Sequence, residues 1–346
     1  ITLALNYYFH GFELAGYHLV NILVHLAAGI FLYLFLRTTL FLEQVKQEPG
    51  HVRWLAFSAA MIWLVHPLQV QSVTYIIQRM NSLAAMFYIL SMLLYVRGRL
   101  ARGKGKQSVL FFGCVCSGLL ALGSKENAAT LPLFILLYEW FFLQDLSFKW
   151  LRKRFLPILG VGIILAFIAM LFLGQDPLTS IRSSYGFRDF TMGQRVLTQF
   201  RVVIFYISLL LFPHPSRLNI EHDFSLSLSL FNSPSTLLSL GVLLALFCLA
   251  ITLAKRERII SFSIFWFLGT LVIESSVIGL EIIFEHRTYL PSMLAVLAMV
   301  IVCNRLLTKQ WWRIFAVIFV VVLFSAWTYQ RNLVWQDEVT LRRDAV

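Results

Sequence analysis

Apolar stretches of membrane-spanning length follow one another along this 346-residue chain, about ten in all, separated by short polar loops. No other feature narrows the possible folds so far. One soluble core has no room for a chain that is 59% hydrophobic and only 13% charged, so lipid must solvate much of its surface. The spans must be helices, because the Phe- and Leu-rich runs lack the two-residue alternation of a membrane barrel and no other structure satisfies the backbone in hydrocarbon. The predicted fold class is therefore all-α, a polytopic helical membrane protein.

The apolar windows place spans at Tyr17 to Leu36, Trp54 to Val65, Leu83 to Val96, Val109 to Leu122, Ala128 to Leu143, Phe155 to Leu173, Leu237 to Ala254, Ile259 to Gly279, Tyr289 to Asn304 and Ile314 to Tyr329. The run from Val196 to Phe212 is apolar too, but it contains Gln199 and Arg201. Alternation of the loops requires that it not cross, so a re-entrant or interfacial helix is expected there. The formal charge of +12 is concentrated in alternate loops, including Arg37, Lys46 and Arg53, the group from Arg97 to Lys106, Lys149 to Arg154, Lys255 to Arg258, and Arg305, Lys309 and Arg313. The positive-inside rule makes that side cytoplasmic. The basic balance thus reports orientation, and a nucleic-acid surface is not indicated, since no basic patch is interleaved with aromatics in a soluble domain.

The cysteines Cys114, Cys116, Cys248 and Cys303 fall within apolar spans, where they pack as small hydrophobes, and no disulfide framework or metal-ligand spacing is visible. Residues 1–16 read as the end of a first outer loop, with the preceding part expected upstream of Ile1. Residues 17–330 form the membrane domain. Residues 331–346 read as the start of an outer-side helical domain, an amphipathic helix marked by Trp335, Val339 and Leu341 with nothing in this chain to pack against.

Polar groups at or within membrane spans are costly, about 3 kcal/mol for a central charge on insertion scales, so each cluster is a candidate site. In FEHRTYLP, Phe284 to Pro291, Arg287 offers a fork of donors and is flanked by Glu285 and His286. Glu281 and Glu285 are one helical turn apart and are expected to share a cavity, with Glu274 further back on the same stretch; a structural Glu–Arg network is the alternative. The loop from His66 to Leu83 carries His66, Gln69, Gln71, Tyr75, Gln78, Arg79 and Asn81, which suit a sugar and its phosphate or, equally, an interfacial loop helix. Lys125 and Glu126 stand in a tight outer turn, either binding a lipid phosphate or neutralising each other. Arg217, Glu221, His222 and Asp223 form a loop suited to a lid or an acceptor contact. His18, Asn21 and His25 share one face of the first span, a stripe that favours helix–helix hydrogen bonding over a substrate-lining role.

Several segments together resemble one family: ALNYYFHGFELAGYHLVNILVHL, WLVHPLQVQSVTYIIQRMNSLAAMFY, LGSKENAATLPLFILLYEW, PSRLNIEHDF, FEHRTYLPS and NLVWQDEVTLRRDAV. They look like the membrane part of the GT-C glycosyltransferases joined to tetratricopeptide repeats, the transmembrane and tetratricopeptide-repeat O-mannosyltransferases and their bacterial counterparts. The resemblance covers nearly the whole chain in order. It implies a GT-C-like fold, a polyprenyl-phosphate sugar donor and a hydroxyl of a secreted or surface protein as acceptor. The active face would be extracytoplasmic, in a bacterial inner membrane or, in a eukaryote, the endoplasmic reticulum. A repeat domain would follow Val346. The catalytic acid of related enzymes lies in the first outer loop, here expected upstream of Ile1; Glu13 is the nearest acid and does not occupy the motif. Within this reading Arg287, Arg79 and Lys125 are phosphate binders, Glu281 and Glu285 orient Arg287 or touch the sugar, and His66 and Gln69 hold the pyranose or line the acceptor path. No cofactor is called for, and a divalent metal stays open as an alternative that no ligand spacing supports. A lipid-linked sugar flippase, or a membrane anchor that displays a repeat domain, are the competing functions.

Overall fold

The computed structural model describes residues 1–45, 49–173, 177–231 and 233–345, so that Lys46 and Val346, named above, lie outside the described residues. Among the described residues every regular element is helical. A helix lies within each predicted span. Among the described residues seven helices are long and apolar enough to cross a membrane, namely Leu14–Leu40, Ile76–Leu100, Lys104–Ser124, Met192–Leu211, Pro234–Leu253, Glu285–Leu306 and Gln310–Leu333. The protein is an integral, multi-pass membrane protein of the all-α class.

The helices are α1 (Thr2–His10), α2 (Leu14–Leu40), α3 (Pro49–Leu64), α4 (Val70–Val73), α5 (Arg79–Leu100), α6 (Lys104–Ser124), α7 (Leu131–Tyr138), α8 (Phe148–Lys153), α9 (Phe155–Leu173), α10 (Pro177–Ser183), α11 (Met192–Leu211), α12 (Pro234–Leu253), α13 (Arg258–Leu271), α14 (Tyr289–Leu306), α15 (Gln310–Leu333) and α16 (Glu338–Ala345). They form two compact units. The first comprises Ile1–Ala128, Leu209–Ile220 and Glu285–Val346, and the second Ala129–Ser208 and Glu221–Phe284.

In the first unit α2 is apolar along its whole length, and its inner face buries Ala28, Leu32, Phe35 and Leu36. At position 29 an added Cβ would stand 2.5 Å from the Leu64 side chain of α3, so a larger residue there would require Leu64 to move. The Leu64 side chain thus packs directly on the α2 backbone, as small residues permit in membranes. Polar side chains fasten the same helices. His25 bonds the Tyr289 hydroxyl through Nδ1 at 2.8 Å and the Leu64 carbonyl through Nε2 at 2.9 Å, while Trp63 Nε1 donates to Ser292 Oγ at 3.0 Å. Such bonds in a bilayer each contribute about 0.6 kcal/mol on average. α5 turns into α6 at Gly103, whose φ of +95° suits a residue without a Cβ. Ser91 Oγ then donates to the Cys114 carbonyl at 2.8 Å across that hairpin.

The second unit is built on aromatic packing. Phe134, Tyr138, Phe141 and Phe142, from α7 and the π-helical turn Glu139–Leu143 that follows it, meet Phe262 and Trp266 of α13 edge to face. α13 stops at Leu271, although the apolar sequence runs on toward Gly279, and residues 272–284 are turns and extended chain. A non-helical backbone among apolar helices needs partners for its carbonyls. α11 supplies them. Arg195 donates through Nε to the Leu280 carbonyl at 3.0 Å, through Nη2 to the Glu274 carbonyl at 2.7 Å, and through Nη1 to that of Ser276. Gln199 Nε2 reaches the Ile282 carbonyl at 2.7 Å, and the Tyr206 hydroxyl both donates to the Phe284 carbonyl at 2.9 Å and accepts from the Phe284 amide at 3.0 Å.

α11, where a re-entrant or interfacial element is expected, is one unbroken helix of 20 residues whose Gln199 and Arg201 point into protein contacts and whose length and composition would also suit a crossing. The chain end after Leu333 does find partners. Arg331, 2% exposed, pairs with Asp344 at 2.5 Å, Asn219 Nδ2 donates to the Asp344 carbonyl at 2.8 Å, and the Trp335 ring lies 5.5 Å from that of Tyr75.

Candidate functional site

Four of the polar segments meet in the first unit, at the turn that starts α14. Residues Glu285–Thr288 form a 3-10 turn in which all four side chains are buried. The His66–Leu83 loop grips it from one side. Gln71 Oε1 accepts from the His286 backbone amide at 2.7 Å and lies 3.0 Å from His286 Nδ1. Asn81 Nδ2 donates to the His286 carbonyl at 2.7 Å. Lys125, from the turn after α6, donates to Asn81 Oδ1 at 3.0 Å, so the third segment joins the second. The fourth enters through Asn219, whose backbone amide donates to Glu285 Oε1 at 2.6 Å.

Two cationic residues belong to this assembly, Lys125 through its bond to Asn81 and Arg287 as a buried member of the turn itself. Cations fixed around one point by a hydrogen-bonded frame bind an anion better than mobile surface lysines, because the frame has already met their ordering cost. The fork of Arg287 suits a phosphate in particular.

The other predicted site residues are placed as follows. Arg79 is 1% exposed, and its guanidinium donates to Asn21 Oδ1 at 2.6 Å, to the Tyr17 and Thr2 carbonyls at 3.0 and 3.2 Å, and to Asn6 Oδ1. Those bonds tie α5 to α1 and α2, and they occupy the donors that a phosphate would need. His66 is likewise engaged at both nitrogens. Nε2 donates to the Leu210 carbonyl at 3.1 Å, and Nδ1 accepts from the Leu68 amide at 3.3 Å and caps the turn that Pro67 begins. Burial of the ring lowers its pKa to about 4, against a smaller opposing effect of the Leu210 carbonyl, so it is neutral at pH 7. Gln69 donates to Ser292 Oγ at 3.2 Å, and its Oε1 is buried without a hydrogen-bond partner. Glu126 is exposed beside Lys125, and Arg217 lies along the Phe212 ring and donates to the Phe212 carbonyl at 2.9 Å.

Glu281 departs from expectation. The chain between it and Glu285 is extended, so the four-residue spacing does not put both carboxylates on one helical face. Glu281 is an exposed residue of the second unit, paired with Arg188, while Glu285 is buried in the first. In the His18, Asn21 and His25 stripe, Asn21 bonds the Val73 carbonyl at 2.9 Å and His25 bonds two neighbouring elements, as helix–helix hydrogen bonding requires. Arg195 and Arg331 carry no motif, and sequence reasoning passed over both. Among the described residues no three His, Cys, Asp or Glu side chains gather as a metal-binding group.

Comparison with known proteins gives a consistent set of relatives. Protein O-mannosyl-transferase F38B6.6 of Caenorhabditis elegans is 24% identical over 361 aligned residues, which cover 98% of this chain and 46% of that protein. Protein O-mannosyl-transferase TMTC2 of Homo sapiens is 26% identical over 56% of the chain and 21% of its own length, and Tmtc3 of Drosophila melanogaster is 28% identical over 42% and 17%. The chain thus spans less than half the length of these curated relatives. No family model matches it, and no solved structure does so significantly. From the motifs and from these alignments alike, the chain resembles the protein O-mannosyl-transferases of animals.

Proposed function

We propose that the protein is a glycosyltransferase that moves a sugar, mannose in the first instance, from a polyprenyl-phosphate donor to a hydroxyl of a protein on the extracytoplasmic side. The relatives' names support transfer to protein hydroxyls. The observation that carries the donor assignment is the buried turn that holds Arg287, braced by Gln71 and Asn81, with Lys125 bonded to Asn81.

In the proposed reaction the acceptor oxygen bonds to the anomeric carbon as that carbon's bond to the phosphate oxygen breaks. The electron pair leaves with the polyprenyl phosphate, and the acceptor's proton passes to a base. Arg287 and Lys125 act on the leaving group, whose charge grows as the bond breaks, so their attraction is strongest in the transition state. Glu285, Gln71 and Asn81 hold the turn and do no chemistry themselves. The base is assigned to none of the described residues. Arg79 and His66, given ligand roles on sequence grounds, act in this reading as fasteners of the surrounding helices.

The test is transfer of labelled mannose from polyprenyl phosphate to an outer-surface protein fraction, with full-length protein and its Arg287→Ala variant. Transfer lost in a folded variant supports the phosphate clamp. Unchanged transfer removes Arg287 from the site, and translocation of uncleaved donor would turn the reading to a flippase.

A further inference from the structure

α14 and α15 turn matching apolar stripes toward a common space. Val296, Met299 and Cys303 of α14 and Val317, Val320 and Phe324 of α15 line a groove of about 520 Å³, completed by Trp54 and Ile62 of α3. Each stripe keeps the three- and four-residue spacing of a single helix face, the pattern expected of surfaces built to contact something. From Val296 to Leu307 the groove follows α14 for roughly 16 Å at 1.5 Å per residue. That is about half of a ~30 Å hydrocarbon core, the depth of one leaflet.

The lining is polar at one end only, at Asn304 and Arg313. Arg313 spends Nε on the Leu307 carbonyl at 2.6 Å, and Asn304 Oδ1 is buried with no hydrogen-bond partner. The same end carries the exposed, stacked pair Trp311 and Trp312, with ring centroids 3.8 Å apart, and the basic residues Arg305 and Lys309. Tryptophan at the end of an apolar helix marks the headgroup level, and a cation between spans there attracts anionic lipid.

We propose that the groove is a binding site for an anionic phospholipid of the leaflet at the basic-loop end. One acyl chain lies between α14 and α15, the phosphate meets the Arg313 guanidinium, and a headgroup hydroxyl donates to Asn304 Oδ1. Nothing in this assignment depends on the proposed transfer reaction.

Full-length protein reconstituted in vesicles of equal phosphatidylglycerol and phosphatidylcholine, then extracted in mild detergent, is examined for retained lipid by native mass spectrometry. Phosphatidylglycerol is expected to be retained about fivefold over phosphatidylcholine, the size of effect one basic residue exerts near an anionic lipid. Arg313→Gln should bring the ratio near one, and Ala316→Phe, which adds bulk to the lining, should lower the total lipid retained. Arg182→Gln, an exposed position of the second unit outside the lining, should leave both unchanged. Equal retention of the two lipids by the wild type, or a ratio indifferent to Arg313→Gln, overturns the proposal. Displacement of the phospholipid by polyprenyl phosphate at equal concentration does so too, since it gives the groove to the donor's tail. If Arg313→Gln does not fold, the wild-type preference must still weaken with added salt; a salt-insensitive preference defeats the assignment.

Discussion

The two units use polar side chains in opposite ways. In the second, Arg195, Gln199 and Tyr206 give their hydrogen bonds to backbone carbonyls of residues 274–284. Every such bond replaces a helical bond that the broken segment lacks. In the first, Gln71, Asn81 and Lys125 form a linked side-chain frame that holds the His286 backbone in the buried turn containing Arg287. Buried polarity therefore does not by itself mark a functional site. What distinguishes the two is that the second unit's side chains serve one backbone segment, whereas the first unit's link side chains of several loops to one another.

That contrast predicts which variants lose activity and which lose the fold. The largest effect is expected at Arg287, where replacement by Ala should lower transfer by about 10²-fold or more, the usual size for a preorganised charge acting in the transition state. Melting in detergent should change little by comparison, and a comparable loss of fold and activity would erase the distinction drawn above. Arg195→Ala should behave the other way. It strips partners from three carbonyls, and a buried group left unsatisfied costs about 1–3 kcal/mol. Thermal unfolding of the variant should fall by several degrees, and Arg195→Lys should recover only part of this because an ammonium lacks the fork that reaches all three.

The third effect belongs to the first unit and is read by pH. The folded pKa of His66, about 4, lies below the ordinary 6.5, so between those values the unfolded chain takes up a proton that the folded protein refuses. The stability is fully present above about pH 6.5 and declines as the pH falls toward 4, by about 3 kcal/mol in all at 1.36 kcal/mol per pH unit. A melting series over that range should show the decline in the wild type and a flatter profile in His66→Gln. The smallest effect is expected at Glu281, whose exposed pair with Arg188 is worth under about 0.5 kcal/mol. Glu281→Gln should leave transfer within about twofold of wild type, whereas a loss near that of Arg287→Ala would return Glu281 to the site.

Much of this was legible in the chain. Apolar windows located the helices because lipid solvation leaves a composition signal, and the stripe at Asn21 and His25 forecast helix–helix hydrogen bonds because its spacing is that of one helix face. The FEHRT, SKEN and HPLQVQ segments were recognisable as polar interruptions, but which of their residues met one another was not. Gln71 and Asn81, the two that hold His286, looked no different from Gln78. The pairing of Glu281 with Glu285 failed because it assumed a helix through VIESSVIGLEIIFE, whereas the helix ends at Leu271. Arg195 was invisible for a related reason. Its acceptors are carbonyls, which every residue possesses, so no partner is written in the sequence.

The same feature shapes which substitutions this stretch tolerates. Carbonyl oxygens survive any change of side chain, so the exposed positions of residues 274–284 can change identity without disturbing the bonds that hold them; Gly279, where an added Cβ would press on Ser184, and the buried Glu274 and Ile283 are exceptions. The donors have no such freedom, since Arg195, Gln199 and Tyr206 each contribute a particular reach and number of hydrogens. Across a saturation library the loop's exposed positions should read as permissive and one face of α11 as strict, an asymmetry of tolerance opposite to what their apolar and polar compositions suggest.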